Sequence, residues 1–345
     1  MSKVTIEKIA KLCNVSRGTV DRVIHNRPNV SKEKREKVQK VLEELNYVPN
    51  PVARALALHD NKIKIAVILP NWGGFFHSEI NKGIEAAIKE FSDYSFNINV
   101  YKCETDEPEE YISIIDNALL DEVKGISICA KNSEPLRNKL VSIRKENIPV
   151  ITFNSDIPNS DRNCFVGEDV LKGGRVAGEI ISKLTNEGEK ILIACGNFEF
   201  YAHKRRVDGF SERFNELNRD NDILPILQTH NEYKRTYEQI KKELLINSNI
   251  KGIYMANESV QACVNVVNEV FSENRHDRPY IVCHDLTKYT KDYLAHRNID
   301  FVIEQNMFRQ GYEPLSILES ILIAGKTNID EFLYTPINII NAENM

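Results

Sequence analysis

Residues 4–26 read V-T-I-E-K-I-A-K-L-C-N-V-S-R-G-T-V-D-R-V-I-H-N. Ile6, Ile9, Ala10 and Cys13 recur at helical steps, so a first helix buries one stripe. Thr5 stands at its N-cap position. Asn14-Val15 reads as a turn. Ser16 then caps a second helix that turns Val20, Val23 and Ile24 inward and Arg17, Gly18, Asp21 and Arg22 outward. A third helix starts at Ser31, buries Val38, Val41, Leu42 and Leu45, and stops before Tyr47-Val48-Pro49. Three short helices with a tight turn between the first two define a helix-turn-helix, whose second helix enters the DNA major groove.

The next stretch, residues 47–57, reads Y-V-P-N-P-V-A-R-A-L-A. Asn50 is a good N-cap, and Pro51 a good first helical residue because its φ is preset and no hydrogen bond is lost. A helix from Pro51 to Leu58 is too short to persist alone in water. It is expected to act as a hinge that folds only with DNA and a partner hinge.

Charge distribution supports this. The chain carries −5 overall, but residues 1–60 hold twelve Lys/Arg against seven Asp/Glu, a net of +5 that leaves −10 for the rest. A basic head on an acidic body is the footprint of a module that meets phosphate. Seven scattered cysteines, never C-x-x-C, suit reduced buried thiols rather than disulfides or zinc. The polar start Met1-Ser2-Lys3 does not read as a signal peptide, and no apolar run approaches a membrane span. A bacterial cytoplasmic, nucleoid-associated location is therefore expected.

Residues 4–58 resemble the head and hinge of the lactose-repressor (LacI/GalR) family. The matching blocks are V-T-I-E-K-I-A, N-V-S-R-G-T-V-D-R-V, V-S-K-E-K-R-E-K-V, E-L-N-Y-V-P-N and A-R-A-L-A, without gaps. The resemblance implies that Arg17, Gly18 and Arg22 occupy base-reading positions, with Arg22 bidentate to guanine. It implies that Thr5, Ser16, Thr19, Asn26, Ser31 and Tyr47 meet phosphate. Asn50, Ala53 and Leu56 fall on the hinge, with Leu56 as the wedge that unstacks a central base step. Two departures stand out. Gly18 has no side chain to read a base, and Asp21 either orients an arginine or accepts from cytosine N4.

After Asn61 strand-like runs alternate with charged helical segments of ten to twenty residues. Near-continuous apolar strands separated by crossover helices argue for parallel sheets with helices on both faces. About five strands fall before residue 160 and four or five after it, which makes two similar subdomains. Ligands in such sheets sit beyond the strand C-terminal ends. Those ends carry Trp72, Phe75, Phe76, Asn154, Asp156, Asn257, Asp285 and Gln305. An apolar wall with a few placed polar groups is what a sugar cleft needs.

The body resembles the periplasmic sugar-binding fold over nearly all of residues 62–330. By that resemblance Phe75 and Phe76 stack on the sugar ring, and Asn257, Asp285 and Gln305 are polar ligands. Lys204 stands for the family's arginine, His284 for a common aromatic, and Asn154 for the aspartate of ribose binders. Decoys are few. Ser320–Thr327 nearly spells a phosphate loop but ends a helix, where such a loop must open one. Gly174 and Gly178 read as glycines that let a helix approach a sheet closely.

The expected fold is an N-terminal all-α helix-turn-helix head plus hinge helix, then an α/β body of two doubly wound parallel-sheet subdomains, periplasmic binding protein type I-like. The expected divisions are 1–48 for the head and 49–61 for the hinge and linker. The subdomains take 62–160 plus about 305–328, and 161–304 plus about 329–345. The expected function is a sequence-specific dimeric repressor, not an enzyme, with no cofactor and no metal. Its partners are a pseudo-palindromic double-stranded DNA operator, a second copy of itself as a homodimer, and a monosaccharide or derivative. Alternatives are control by a co-repressor or protein partner and, further off, a sugar-binding protein or enzyme.

Overall fold

The computed structural model describes residues 6–24, 29–45, 62–71, 74–92, 96–198, 201–217 and 222–345, with backbone alone at 43, 74–77 and 275. Thr5, Asn26, Tyr47, Asn50, Ala53, Leu56, Trp72 and the expected hinge helix lie outside the described residues.

In the head, α1 (Ile6–Cys13), α2 (Arg17–Ile24) and α3 (Lys32–Glu44) surround one small core. Ile9, Ala10, Cys13, Val20, Val23 and Val38 are buried there, with Ile24, Val41, Leu42 and Leu45 packed against them. Each such aliphatic side chain contributes about 1.5–3 kcal/mol when fully buried. The turn follows from two residues. Asn14 adopts φ 50°, a left-handed conformation that asparagine tolerates. The Val15 N–H then reaches back to the Ala10 carbonyl at 3.0 Å and closes α1. Ser16 opens α2 by accepting the Thr19 N–H on its Oγ at 3.1 Å.

The body begins with β1 (Ile63–Pro70), α4 (Gly74–Phe91), β2 (Phe96–Cys103), α5 (Pro108–Leu120), β3 (Gly125–Ile128), α6 (Glu134–Lys145), β4 (Val150–Phe153) and β5 (Cys164–Gly167). A second series follows: α7 (Val170–Leu184), β6 (Lys190–Cys195), α8 (Tyr201–Glu216), β7 (Asp222–Ile223), β8 (Leu227–Gln228), α9 (Tyr233–Ile246), β9 (Ile250–Met255), α10 (Val260–Val270), β10 (Tyr280–His284), α11 (Lys288–Ala295) and β11 (Phe301–Glu304). The chain then returns through α12 (Met307–Leu322) and ends in β12 (Phe332–Tyr334) and β13 (Asn338–Ile340).

These strands form two sheets of one plan. The first has the order β12-β5-β4-β3-β1-β2, and the second β13-β11-β10-β9-β6-β7 with β8 also on β6. All pairings are parallel except β11 with β13. In each sheet the order reverses beside the first strand of its series, β1 or β6. That reversal opens a crevice at the strand C-terminal ends. β3, β4 and β5 are buried along their whole length, as strands covered on both faces must be.

The division between lobes differs from the expected one. β5 lies beyond residue 160 yet pairs with β4, and β12 joins β5 in the first sheet. β12, at three residues, is too short for periodicity to announce it. Thr335, between β12 and β13, ties the crossings together. Its N–H donates to the Gly167 carbonyl at 2.8 Å, and its hydroxyl donates to the Gln305 carbonyl at 2.7 Å.

Each lobe is also held by a helix pair in contact through glycines. A Cβ on Gly174 would lie 1.9 Å from the Arg206 carbonyl oxygen, and one on Gly209 would lie 2.1 Å from that of Leu171. In the first lobe Gly83 meets the Phe308 carbonyl and Gly311 that of Ile80 in the same reciprocal way. Gly174 and Gly178 therefore serve the approach of α7 to α8, not to a sheet as expected.

Candidate functional site

The head presents α2 as its reading surface. Arg17, Gly18 and Arg22 are exposed, Thr19 and Asp21 half-buried, and Ser16 and Ser31 sit exposed at helix starts. The Ser31 carbonyl accepts the Arg35 N–H at 3.0 Å and so begins α3. The Ser16 and Thr19 hydroxyls lie 2.9 Å apart. A Cβ on Gly18 would meet only the Ser16 Oγ, at 3.8 Å. Packing therefore does not require glycine there. Gly18→Ala is expected to raise the head's stability by about 0.5–1 kcal/mol through helix propensity. It is also expected to change which operator sequence is preferred, as read by thermal melting beside selection from a randomised DNA pool. An unstable head would show that Gly18 has a folding role.

In the body, polar side chains converge where the parallel strands end. Asn154 follows β4, Glu168 follows β5, Asp285 follows β10 and Gln305 follows β11. Asn154 and Asp285 adopt φ 60° and 71°, so leaving a strand into a left-handed turn already favours Asn or Asp at these places. Gln305 Nε2 donates to Asp285 Oδ1 at 2.7 Å. Asn257 Nδ2 donates to Thr229 Oγ1 and Asn231 Oδ1, both at 3.0 Å.

The cation of the cluster is Arg206, not Lys204. Lys204 points outward and pairs with Asp208 one turn on, at 2.8 Å. Arg206 is 6% exposed and donates to the carboxylate of Glu168, itself 4% exposed. The cause is helical phase. Arg206 precedes Gly209 by three residues and shares its packed face, whereas Lys204 precedes it by five and does not. Asp156 is likewise engaged elsewhere. It grips Arg162 through both oxygens, at 2.6 and 2.7 Å, and accepts from the Thr152 hydroxyl and the Ile157 N–H. Phe75 and Phe76 lie in the first turn of α4, where the backbone alone is described.

Burial tunes the ionisable groups. His284 is 2% exposed, with Nε2 2.7 Å from the Tyr254 hydroxyl and Nδ1 3.7 Å from Glu168 Oε1. Desolvation and the Arg206 charge hold it well below the usual histidine range, so it is neutral. His203 is pushed down to about 4 for the same two reasons. Desolvation pushes the Asp285 carboxyl up from 3.8 to about 6, against the opposing pull of Arg206 and Gln305. The folded chain thus holds a proton on Asp285 that an unfolded chain loses, and stability falls as pH rises from about 4 to about 6. Asp285→Asn is expected to abolish that part of the fall, so its melting temperature gains on the wild type most above pH 6. An unchanged difference from pH 4 to pH 7 would contradict the assignment.

A separate surface cavity of about 350 Å³ lies at the opposite, N-terminal ends of β6, β9 and β10, beside Lys251, His276 and Arg278. Arg278 is bound bidentately to Asp300 at 2.9 Å, so that cation is engaged by the fold.

Two lobes of one topology, with polar groups gathered at their strand ends, define a class. Residues 65–327 match the model of the periplasmic binding protein domain, and residues 5–50 that of bacterial regulatory proteins, lacI family. The chain belongs to the lacI family of DNA-binding transcriptional regulators, with a periplasmic binding protein domain as its body. It is 28% identical over 266 residues to the HTH-type transcriptional regulator DegA of Bacillus subtilis, covering 76% of each chain. Catabolite control protein A of Staphylococcus epidermidis is 28% identical over 246 residues, 70% of this chain and 71% of that one. In structure, the arabinose binding protein AraP from Geobacillus stearothermophilus superposes with a TM-score of 0.71 at 17% identity, over 82% of this chain and 98% of that one. The chain is a regulator, not an enzyme. Among the described residues no helix is long and apolar enough to cross a membrane.

Proposed function

We propose that the protein is a cytoplasmic, dimeric repressor whose operator affinity is set by a small neutral sugar or sugar derivative at the strand-end cluster. The supporting observation is four buried polar atoms there, Glu168 Oε1, Arg206 Nε, Asn257 Oδ1 and His284 Nδ1, that have no hydrogen-bond partner among the described residues. Each unmet buried group costs about 1–3 kcal/mol, which a hydroxylated ligand recovers. The AraP likeness supports the architecture of a clamp, and AraP is an arabinose binding protein.

Charge favours a neutral ligand. Among the described residues the cluster sets Arg206, a cation already paired, against the carboxylates of Glu168 and Asp285. A sugar phosphate would meet a balanced or negative floor. Two heads on a two-fold dimer then read two half-sites, with hinges between them. The sugar shifts the equilibrium between DNA-bound and free forms by its differential affinity for the two. The test is a thermal-shift screen of the full chain against D-arabinose, D-ribose, D-galactose, myo-inositol and their phosphates. A rise with one neutral compound and none with its phosphate is expected. No response to any of them would overturn the sugar reading.

A further inference from the structure

One relay of side-chain hydrogen bonds, running in a single direction, links the end of β4 to the end of β10. Asn154 Nδ2 donates to Gln310 Oε1 at 2.8 Å. Gln310 Nε2 donates to Gln305 Oε1 at 3.2 Å and to the Gln305 carbonyl at 3.0 Å. Gln305 Nε2 donates to Asp285 Oδ1 at 2.7 Å. Gln310 and Gln305 each accept on the first-lobe side and donate toward the second lobe. The relay ends on a carboxylate, which accepts fully only when ionised. Bonds aligned in this way polarise and strengthen one another.

Gln310 is the middle of the relay and is 0% exposed. Its neighbours on α12, Met307, Gly311, Pro314 and Leu315, are buried too, and a methionine or leucine would fill its place. A carboxamide belongs in such surroundings only when both of its ends are bonded, as they are here.

We propose that Gln310 is a positioning residue of the effector site, whose carboxamide fixes the amide orientation of Asn154 in one lobe and Gln305 in the other. It thereby sets which atoms at the strand ends accept and which donate when an effector arrives. The effector part rests on the reading of this cluster given above; the relay does not. Without Gln310, the Gln305 amide is free to turn its oxygen toward Asp285, and that contact favours a protonated carboxyl.

The groups facing Asp285 are Gln305 after β11, Arg206 on α8, Glu168 after β5 and Glu258 after β9. Arg206 and Gln305 favour the carboxylate, and the two glutamates oppose it. Gln310 reaches this set through Gln305.

The experiment follows melting temperature of the full chain over roughly pH 4–8 for wild type and the near-isosteric Gln310→Met, each alone and with Asp285→Asn. The expected result is that the fall in stability assigned to Asp285 moves to higher pH in Gln310→Met. The move should vanish when Asp285 is also replaced. A melting temperature lowered equally at every pH, and equally in the Asp285→Asn background, would reduce Gln310 to packing and overturn the proposal. If Gln310→Met does not fold, Asn154→Ala removes the first donor of the relay, and its pH profile gives the same decision. Calorimetry with D-arabinose, D-ribose and D-galactose is the second readout. Gln310→Met should weaken whichever sugar the wild type binds by about tenfold, the worth of one hydrogen bond. Failure of all three to bind the wild type counts against the sugar reading alone, and the pH profile still decides the relay.

Discussion

Arg206→Met is expected to destabilise the body by about 3–5 kcal/mol, because it strips a buried carboxylate of its cation. Glu168 is 4% exposed, and Arg206 is the cation within salt-bridge reach of it. The neighbouring His284 is held neutral and offers no compensating charge. A methionine fills much of the arginine's volume, so the loss reads charge more than packing. The companion change decides the cause. Arg206→Met with Glu168→Gln removes both charges and should recover most of the stability, since a buried pair contributes little net once its desolvation is counted. Urea unfolding of the three variants checks this. A double variant as unstable as the single one would mean that Arg206 acts through its packing.

Gly174→Ala should have the next largest effect. The new Cβ would sit 1.9 Å from the Arg206 carbonyl oxygen and 2.8 Å from its Cα, both backbone atoms that no rotamer change can move. α7 and α8 must separate, at a cost of about 1–3 kcal/mol or more for overpacking. The atom displaced belongs to the residue that pairs with Glu168, so the change reaches the effector cluster as well as the core. Sugar affinity is therefore expected to fall alongside the urea midpoint. Gly178→Ala provides the graded comparison, because its Cβ would meet the Phe210 carbonyl oxygen at 3.0 Å. Equal effects of the two would contradict the close contact at Gly174.

The head was legible in the sequence because each inference rested on a local signal. Asn14 for the turn, Ser16 for the cap and the stripe Ile9, Ala10, Cys13, Val20, Val23 needed no distant partner. The two sheets were legible through their apolar runs. β12 and β13 were not, because three residues carry too little periodicity and their pairing is decided by the return of the chain. In the cluster, Asn154, Asp285 and Gln305 could be found because strand ends mark them. Glu168 and Thr229 follow strands as well, β5 and the two-residue β8. Arg206 was missed for Lys204, although Gly209 three residues later marks the packed face. Gln310 carries no sequence signal; only tertiary contact with Asn154 and Gln305 distinguishes it from a surface glutamine. Asp156 shows the converse error, since a carboxylate near a strand end is equally suited to closing a loop on Arg162.

The central claim is that ligand at the strand-end cluster controls the grip of the head on DNA. Its most direct test is fluorescence anisotropy of the full-length protein on the sequence it selects from a randomised DNA pool. The titration is run with and without the neutral sugar that raises its melting temperature. The account predicts that this sugar weakens operator binding by about 5–150-fold, the usual span of allosteric coupling. Asp285→Asn should lose that response while keeping the operator affinity of the sugar-free protein. A sugar that binds the body yet leaves the anisotropy curve unmoved would contradict it.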